Sequence, residues 1–333
     1  MSASTFHAER RAFRAGLSGE ATALTIQPGS FRPITLTTTV PKELVHRSAV
    51  AEVLLTDWER VDDTRFVLNA QWPRGHSFFT PVADGYHDPL IACETVRQIG
   101  ILLGHAEFGI PLGYQFIVWD LDIAVRPQHL QVGYRPAALS IDVTCTEINR
   151  HGRNLSGLRF EAVFRRDGHV VATGGGSFSC MAPAVYQRVR GDRRFDGDWY
   201  KLPLISPAAP QSVGRTSPMD VVLSPTGESN LWQLRVDTRH PVLFEHPVDH
   251  VPGMVLIEAA RQAAASVLGR SSYLPLSLAN EFKRYVELDS PCMIEAVRVP
   301  VQELGDEQSV LVTARQDGVV VFTSSVSAGS HGL

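Results

Sequence analysis

DPLIACETVRQ, residues 88–98, and PGMVLIEAARQ, residues 252–262, decide how the whole chain is read. Laid over one another, they bring Glu94 onto Glu258, Arg97 onto Arg261 and Gln98 onto Gln262, each at an offset of 258 − 94 = 164. The same offset places His76 on His240 and the apolar pair Leu90-Ile91 on Met254-Val255. A shared period of this length points to a duplicated supersecondary unit, provided the flanking elements recur in the same order.

They do recur. Two segments of β character precede each motif, Ala49–Leu55 and Arg65–Trp72 in the first half, Asp220–Leu223 and Leu231–Val236 in the second. Four longer strand-like runs follow the first motif: Tyr114–Val125, Ala138–Ile148, Leu155–Arg165 and Val170–Ser179. Phe282–Leu288, Met293–Val301, Ser309–Ala314 and Val319–Val326 follow the second. β-branched and aromatic residues fill these runs, and an Asp-Gly turn separates the last two of each half. Each half therefore reads strand, strand, helix, then four strands. One apolar helix with a run of antiparallel strands buries its surface best when the sheet wraps the helix. The expected class is α+β, a tandem double hotdog in which each repeat is an antiparallel sheet around a central helix. Residues 1–35 read as an N-terminal extension, 36–181 as the first repeat, 182–218 as a linker and 219–330 as the second repeat.

The chain of 333 residues is long enough for two such units, and its 44% hydrophobic and 20% charged content is that of a soluble globular protein. A net charge of −4 argues against a nucleic-acid binder. The basic cluster Arg188, Arg190, Arg193 and Arg194 is broken by acids and glycines and reads as a solvated linker. Four scattered cysteines without a CxxC fit a reducing compartment and give no zinc site. No apolar run reaches the ~20 residues needed to span a bilayer, so a cytoplasmic protein without membrane or metal is expected.

Both central helices, expected over Pro89–His105 and Pro252–Leu268, are apolar on nearly every side, which marks them as buried. Yet each carries a Glu and an Arg three residues apart, on one face. An exposed intrahelical ion pair is the plain reading of one such pair, worth only ~0.3–0.5 kcal/mol. Two copies in otherwise apolar helices turn the balance towards a site. Glu94, Arg97, Glu258 and Arg261 are the catalytic candidates. The loops ahead of the helices add Asp84, Tyr86, His87 and Asp88 in the first half and Glu245, His246, Asp249 and His250 in the second. A loop histidine there can act as a base or bind substrate. Pro89 and Pro252-Gly253 open the helices, whose free N–H groups can hold an anion or a thioester oxyanion. His87, Asp88, His246, Asp249, His250 and Gly253 are thus expected to bind substrate. Gly174-Gly175-Gly176 lacks the strand–loop–helix context of a phosphate loop and reads as strand glycines that admit a close backbone.

VPKELVHRSAVAEVLLTDW (40–58), YHDPLIACETVRQIG (86–100) and above all HPVDHVPGMVLIEAARQAA (246–264) resemble the A-factor biosynthesis hotdog proteins of actinomycetes, the AfsA-type γ-butyrolactone synthases. The likeness spans residues 40–328. More distantly, the last segment is similar to β-hydroxyacyl carrier-protein dehydratases. The resemblance implies an acyltransferase without a cofactor. It would pass a β-ketoacyl group from acyl carrier protein to dihydroxyacetone phosphate, and the ester would close to a butenolide phosphate on the way to a butyrolactone, butenolide or furan signal. That chemistry needs a base, an oxyanion site and a cation for the phosphate. Glu94 is the expected base, its pKa raised by apolar surroundings, and Arg261 the expected cation, drawn from the opposite half. Glu258 and Arg97 are a second site or a structural counterpart. A thioesterase or dehydratase using the same helix acid is the alternative, and a non-catalytic lactone binder a third. As a pseudo-dimer of repeats the chain is expected to work as a monomer or a homodimer.

Overall fold

The computed structural model describes residues 37–191 (Asp84 and Arg153 excepted), 203–300 and 307–329. The expected N-terminal extension, Asp84, Arg193 and Arg194 lie outside the described residues. The first half contributes strands β1 (Leu55–Arg60) and β2 (Arg65–Trp72), helix α1 (Leu90–Ala106), then β3 (Gln115–Val125), β4 (Ala137–His151), β5 (Asn154–Arg166) and β6 (His169–Met181). A short helix α2 (Pro183–Arg190) follows. The second half contributes β7 (Leu223–Pro225), β8 (Leu231–Leu234), helix α3 (Gly253–Leu268), β9 (Pro275–Phe282), β10 (Cys292–Val299), β11 (Glu307–Gln316) and β12 (Val319–Gly329). Among these elements no helix is long and apolar enough to cross a membrane.

All twelve strands form one antiparallel sheet in the order β1-β2-β4-β5-β6-β3-β9-β12-β11-β10-β8-β7. Read inwards from either edge, the second half repeats the first. The halves meet at β3 and β9, where Asp120 faces Glu281 and Ala124 faces Ser277. Strand alternation is plain in β4, whose residues 137, 139, 141, 143 and 145 are buried while their neighbours are exposed. α1 packs on β3, β5 and β6, and α3 on β9 to β12. This is the expected tandem hotdog.

Several boundaries differ from the sequence reading. Val50–Glu52 is a 3-10 turn, not strand, and β1 starts only at Leu55. The turn is held to α1 by the Gln98 side chain, which accepts from the Leu54 N–H and donates to the Glu52 carbonyl. Gln262 does the same for Val222 and Asp220, so β7 begins at Leu223 rather than Asp220. β9 is displaced towards the N-terminus, ending at Phe282 where a strand was expected to begin. Its Pro, Ser, Ala, Asn and Glu are poor strand formers, but pairing with β3 and β12 overrides propensity. Buried Asn280 donates to the Leu121 carbonyl on one side and accepts from the Ser324 hydroxyl on the other.

Gly174, Gly175 and Gly176 in β6 allow their neighbours to close in. A Cβ at 174 would stand 2.5 Å from the Asp122 carbonyl oxygen, one at 176 would stand 2.7 Å from that of Asp120, and one at 175 would overlap the carbonyl of Phe160. Backbone cannot yield as a flexible side chain would. Gly175→Ala is expected to destabilise the protein by about 1–3 kcal/mol, read as a lower melting temperature with the far-ultraviolet spectrum unchanged. A melting temperature equal to wild type would show that the strands have room to part.

Candidate active site

Each central helix presents its carboxylate to two guanidinium groups. In α1, Glu94 accepts from Arg97 Nε at 2.9 Å and Nη2 at 2.9 Å, from Arg47 Nε at 3.1 Å, and from Gln98 at 2.7 Å, while Arg47 Nη2 lies 2.6 Å from Glu94 Oε2. In α3, Glu258 accepts from Arg261 Nε at 2.9 Å and Nη2 at 2.7 Å, from Arg215 Nε and Nη2 at 2.7 Å each, and from Gln262. The i,i+3 spacing lets one helix residue reach the carboxylate and a 3-10 turn supplies the other guanidinium. Those turns, Lys42–Val45 and Pro210–Val213, each end in a left-handed residue, His46 or Gly214, just before the arginine.

Arg47 and Arg215 were not among the sequence candidates. Their signal was present: VHRS (45–48) matches VGRT (213–216) at an offset of 215 − 47 = 168, four more than the helix offset. A search at one fixed offset passes over it. Both arginines straddle the halves. Arg47 Nη1 donates to Glu245 of the second half at 3.1 Å, and that carboxylate also accepts from the Ser48 N–H at 2.8 Å and the Ala49 N–H. Arg215 Nη1 donates to the Phe78 carbonyl at 2.8 Å and lies 3.6 Å from Asp88, both in the first half.

The expected pairing of Glu94 with Arg261 is therefore corrected. Arg261 spends its guanidinium on Glu258 of its own helix and on the Gly214 carbonyl. The expected rise in the Glu94 pKa is corrected as well. Burial does push the carboxyl up, but Arg47 and Arg97 outweigh it and hold Glu94 down at about 2. Glu258 is held at about 2 in the same way by Arg215 and Arg261. Both are fixed anions, not bases poised near neutrality.

A cavity of about 1260 Å³ opens beside one of the two networks. β3, the loop of residues 242–254, the start of α3, the segment after β9 and α2 wall it. Arg97, His246, His250 and Gly253 line it, as do Arg47, His46 and Glu245. Glu94 stands one layer behind, 1% exposed, while the Arg97 side chain is 19% exposed. The α3 network lies away from these walls, with Glu258 and Arg261 at 0% and 1%. His87 and Asp88 are also buried elsewhere. Asp88 accepts from the Leu90 N–H at 3.0 Å and so closes the start of α1, its carboxyl pushed up by burial despite Arg215. His87 lies against Trp72, and burial holds it at about 4. The duplicated His76 and His240 are structural in both halves, each accepting two backbone N–H groups through Nδ1.

The cavity wall is apolar along Phe116, Val118, Met254, Ile257, Val286 and Val321. Its polar groups cluster. His246 sits beside Glu245, 3.8 Å away, and burial, with Arg97, lowers its pKa. His250 bonds Asp249 at 2.7 Å, and Asp249 also accepts from Tyr186 at 2.6 Å and Arg190 at 2.9 Å. Arg190 was expected in a solvated linker; it is buried, bridging Asp249 and Glu287, and carries α2 onto the cavity wall. α3 has no side-chain cap, so the amides of Gly253 and Met254 at its start are available where they border the cavity.

Removing one member of a buried ion network leaves an uncompensated charge. Arg215→Ala is expected to cost about 3–5 kcal/mol in urea unfolding; a loss below about 1 kcal/mol would mean that water replaces the guanidinium at little cost. Acid should also unfold the protein through these carboxylates. Their folded pKa lies below the ordinary 4.5, so their contribution is complete above about 4.5 and is lost as pH falls towards 2. Neutral burial of His46 and His87, held at about 3 and 4, acts in the same direction below about 6.5. Melting temperature against pH should fall steeply from pH 4.5 to 2 in wild type and less steeply in Glu258→Gln; equal slopes would contradict the assignment.

The A-factor biosynthesis hotdog domain matches residues 32–182 and 200–329 of this chain. A 2-oxo-3-(phosphooxy)propyl 3-oxoalkanoate synthase of Streptomyces virginiae is 56% identical over 288 residues, 86% of this chain and 97% of that one. A synthase of the same name from Streptomyces griseus is 43% identical over 294 residues, 87% of this chain and 96% of its own length. Among solved structures, the 12:0-ACP thioesterase of Umbellularia californica aligns over 79% of this chain and 93% of its own at 10% identity, with a TM-score of 0.49. The chain belongs to the A-factor biosynthesis hotdog family.

Proposed function

We propose that this enzyme transfers a 3-oxoacyl group from an acyl carrier protein thioester to a hydroxyl of dihydroxyacetone phosphate. The product would be a 2-oxo-3-(phosphooxy)propyl 3-oxoalkanoate, the compound named for the relatives at 56% and 43% identity. The observation that carries the reading is a grouping in the cavity: Arg47 and Arg97 beside a long apolar wall, at the uncapped start of a helix. A phosphate needs the first, an acyl chain the second, and a thioester oxyanion the third.

Arg97 is the phosphate ligand in this reading. Glu94 fixes one edge of its guanidinium through Nε and Nη2, and Nη1 has no hydrogen-bond partner among the described residues. Arg47 adds charge beside it. Glu94 thus positions both cations and does not take the proton. The α3 amides at Gly253 and Met254 face the thioester carbonyl, and His246 and His250 offer hydrogen bonds to the substrates from the second half. Glu258, Arg261, His87 and Asp88 form the structural counterpart. One chain supplies both halves of the site, so a monomer suffices and a homodimer would double it. Closure of the ester to a butenolide phosphate, and its later reduction, would lead to the signalling lactone, butenolide or furan.

Purified protein, a 3-oxooctanoyl carrier protein and dihydroxyacetone phosphate should give the phosphorylated ester by mass spectrometry. Release of free acid at the same rate without the acceptor would support a thioesterase instead. Arg97→Ala should lower kcat/KM for dihydroxyacetone phosphate by ~10–100-fold, the worth of one charge-assisted bond, with a smaller change for the thioester. Equal losses for both substrates would remove Arg97 from phosphate binding.

A further inference from the structure

His46, on the cavity wall, forms a directed pair with His105 that has no counterpart at the matching positions of the second half. His46 Nε2 and His105 Nε2 are 2.8 Å apart, and His105 Nδ1 is 2.7 Å from the Ile110 carbonyl oxygen. A carbonyl only accepts, so His105 Nδ1 carries the proton. Its Nε2 is then the acceptor, and His46 Nε2–H must be the donor. That leaves a lone pair on His46 Nδ1 by default, an acceptor whose tautomer is set by a backbone carbonyl two bonds away. Phe116 holds both rings, with centroids 5.3 Å from His46 and 5.0 Å from His105. His46 borders the cavity together with Arg47, Arg97 and His246.

The second half shows that the fold does not need the pair. At the matching positions, 46 + 168 = 214 and 105 + 164 = 269, it has Gly214 and Gly269. Both glycines have positive φ, 68° and 67°, which suits them. His46 holds the same left-handed conformation at φ 51° with a side chain attached, a local cost that the equivalent turn avoids. The Pro210–Val213 turn also keeps its arginine, Arg215, on Glu258 without any imidazole. The histidines are therefore additions to the half whose network borders the cavity.

We propose that His46 Nδ1 takes the proton of the attacking hydroxyl of dihydroxyacetone phosphate, and that His105 is the positioning residue that fixes its tautomer. This rests on the transfer reading above. The acceptor is small, so a base for its hydroxyl must lie close to the arginine that holds its phosphate, and His46 does. The O–H bond breaks to His46 as the oxygen bonds to the thioester carbonyl carbon. When the C–S bond breaks, the imidazolium returns the proton to the departing thiolate, and the ring ends neutral. Burial, His105, Arg97 and His246 keep the ring neutral beforehand, at about 3, while the adjacent Arg47 is bound to Glu94 and Glu245. A phosphate dianion on Arg97 and Arg47 offsets their charge and raises the basicity of His46 only when the acceptor is in place. Water is then a poor substitute, which favours transfer over hydrolysis.

His46→Gly installs the residue of the second half in a conformation glycine prefers, so the fold should persist; His46→Asn, also at ease in this region, is the second variant. With 3-oxooctanoyl carrier protein and dihydroxyacetone phosphate, kcat should fall about 100-fold or more in both, with melting temperature kept. KM for the acceptor should change less than about threefold, and added imidazole should restore part of the rate in His46→Gly. His105→Gln, which retains an acceptor for His46 Nε2–H, should keep more activity than His105→Leu. A kcat within about threefold of wild type in His46→Gly, or a loss confined to KM, overturns the proposal. If wild type forms no ester from verified substrates, the transfer reading itself falls and takes the proposal with it, a result distinct from a normal wild type with unaffected variants.

Discussion

Two carboxylates on the central helices, each gripped by two guanidinium groups and a glutamine, set the geometry on which the remaining structure depends. Charged groups this deep are tolerated only when paired and fully hydrogen-bonded. The pairing partners come from the neighbouring helix turn and from a 3-10 turn that precedes each half's first strand. The glutamines extend the grip to backbone ahead of β1 and β7. Arg47 and Arg215 then reach across to Glu245 and to Asp88 and Phe78, so the same side chains that satisfy each helix acid also join the halves. Moving either helix would uncouple several charges together, which makes the interface a rigid frame for a site.

Duplication supplied two such frames, and the halves have since parted company. In the second network the guanidinium groups are sealed in, with Asp88 closing the start of the opposite helix. In the first, Arg97 and Arg47 border the cavity, the facing helix start is uncapped, and two histidines occupy positions that are glycine in the other half. Both networks join the halves, but only one of them borders the cavity. Both helix acids are buried; what differs is which neighbours leave space beside them.

The fold was legible because its signals are local and repeated. The 164-residue offset, strand alternation and two all-apolar helices define the tandem architecture, and β9 was misplaced because its residues are poor strand formers held by their neighbours. The candidate site was legible in part. His246, His250, Gly253 and Arg97 do border the cavity. Glu94 and Arg261 could not be assigned correctly from their own helices, because the charges that set the Glu94 pKa and occupy Arg261 depend on Arg47, Glu258 and the burial of each. Arg47 lay at a shifted offset, and the tautomer of His46 depends on a carbonyl 64 residues away, 110 − 46 = 64. Sequence spacing shows which residues recur; it does not show which copy faces open space.

The central claim is that only one of the two duplicated helix acids stands behind a substrate site. Calorimetric titration of the wild-type chain with a non-hydrolysable 3-oxooctanoyl pantetheine analogue in the presence of dihydroxyacetone phosphate measures this directly. One equivalent bound per chain, lost in a variant that fills the cavity at Gly253 and retained in Arg261→Lys, is the expected result. Two equivalents per chain, or binding lost with Arg261→Lys and unaffected at Gly253, would contradict it.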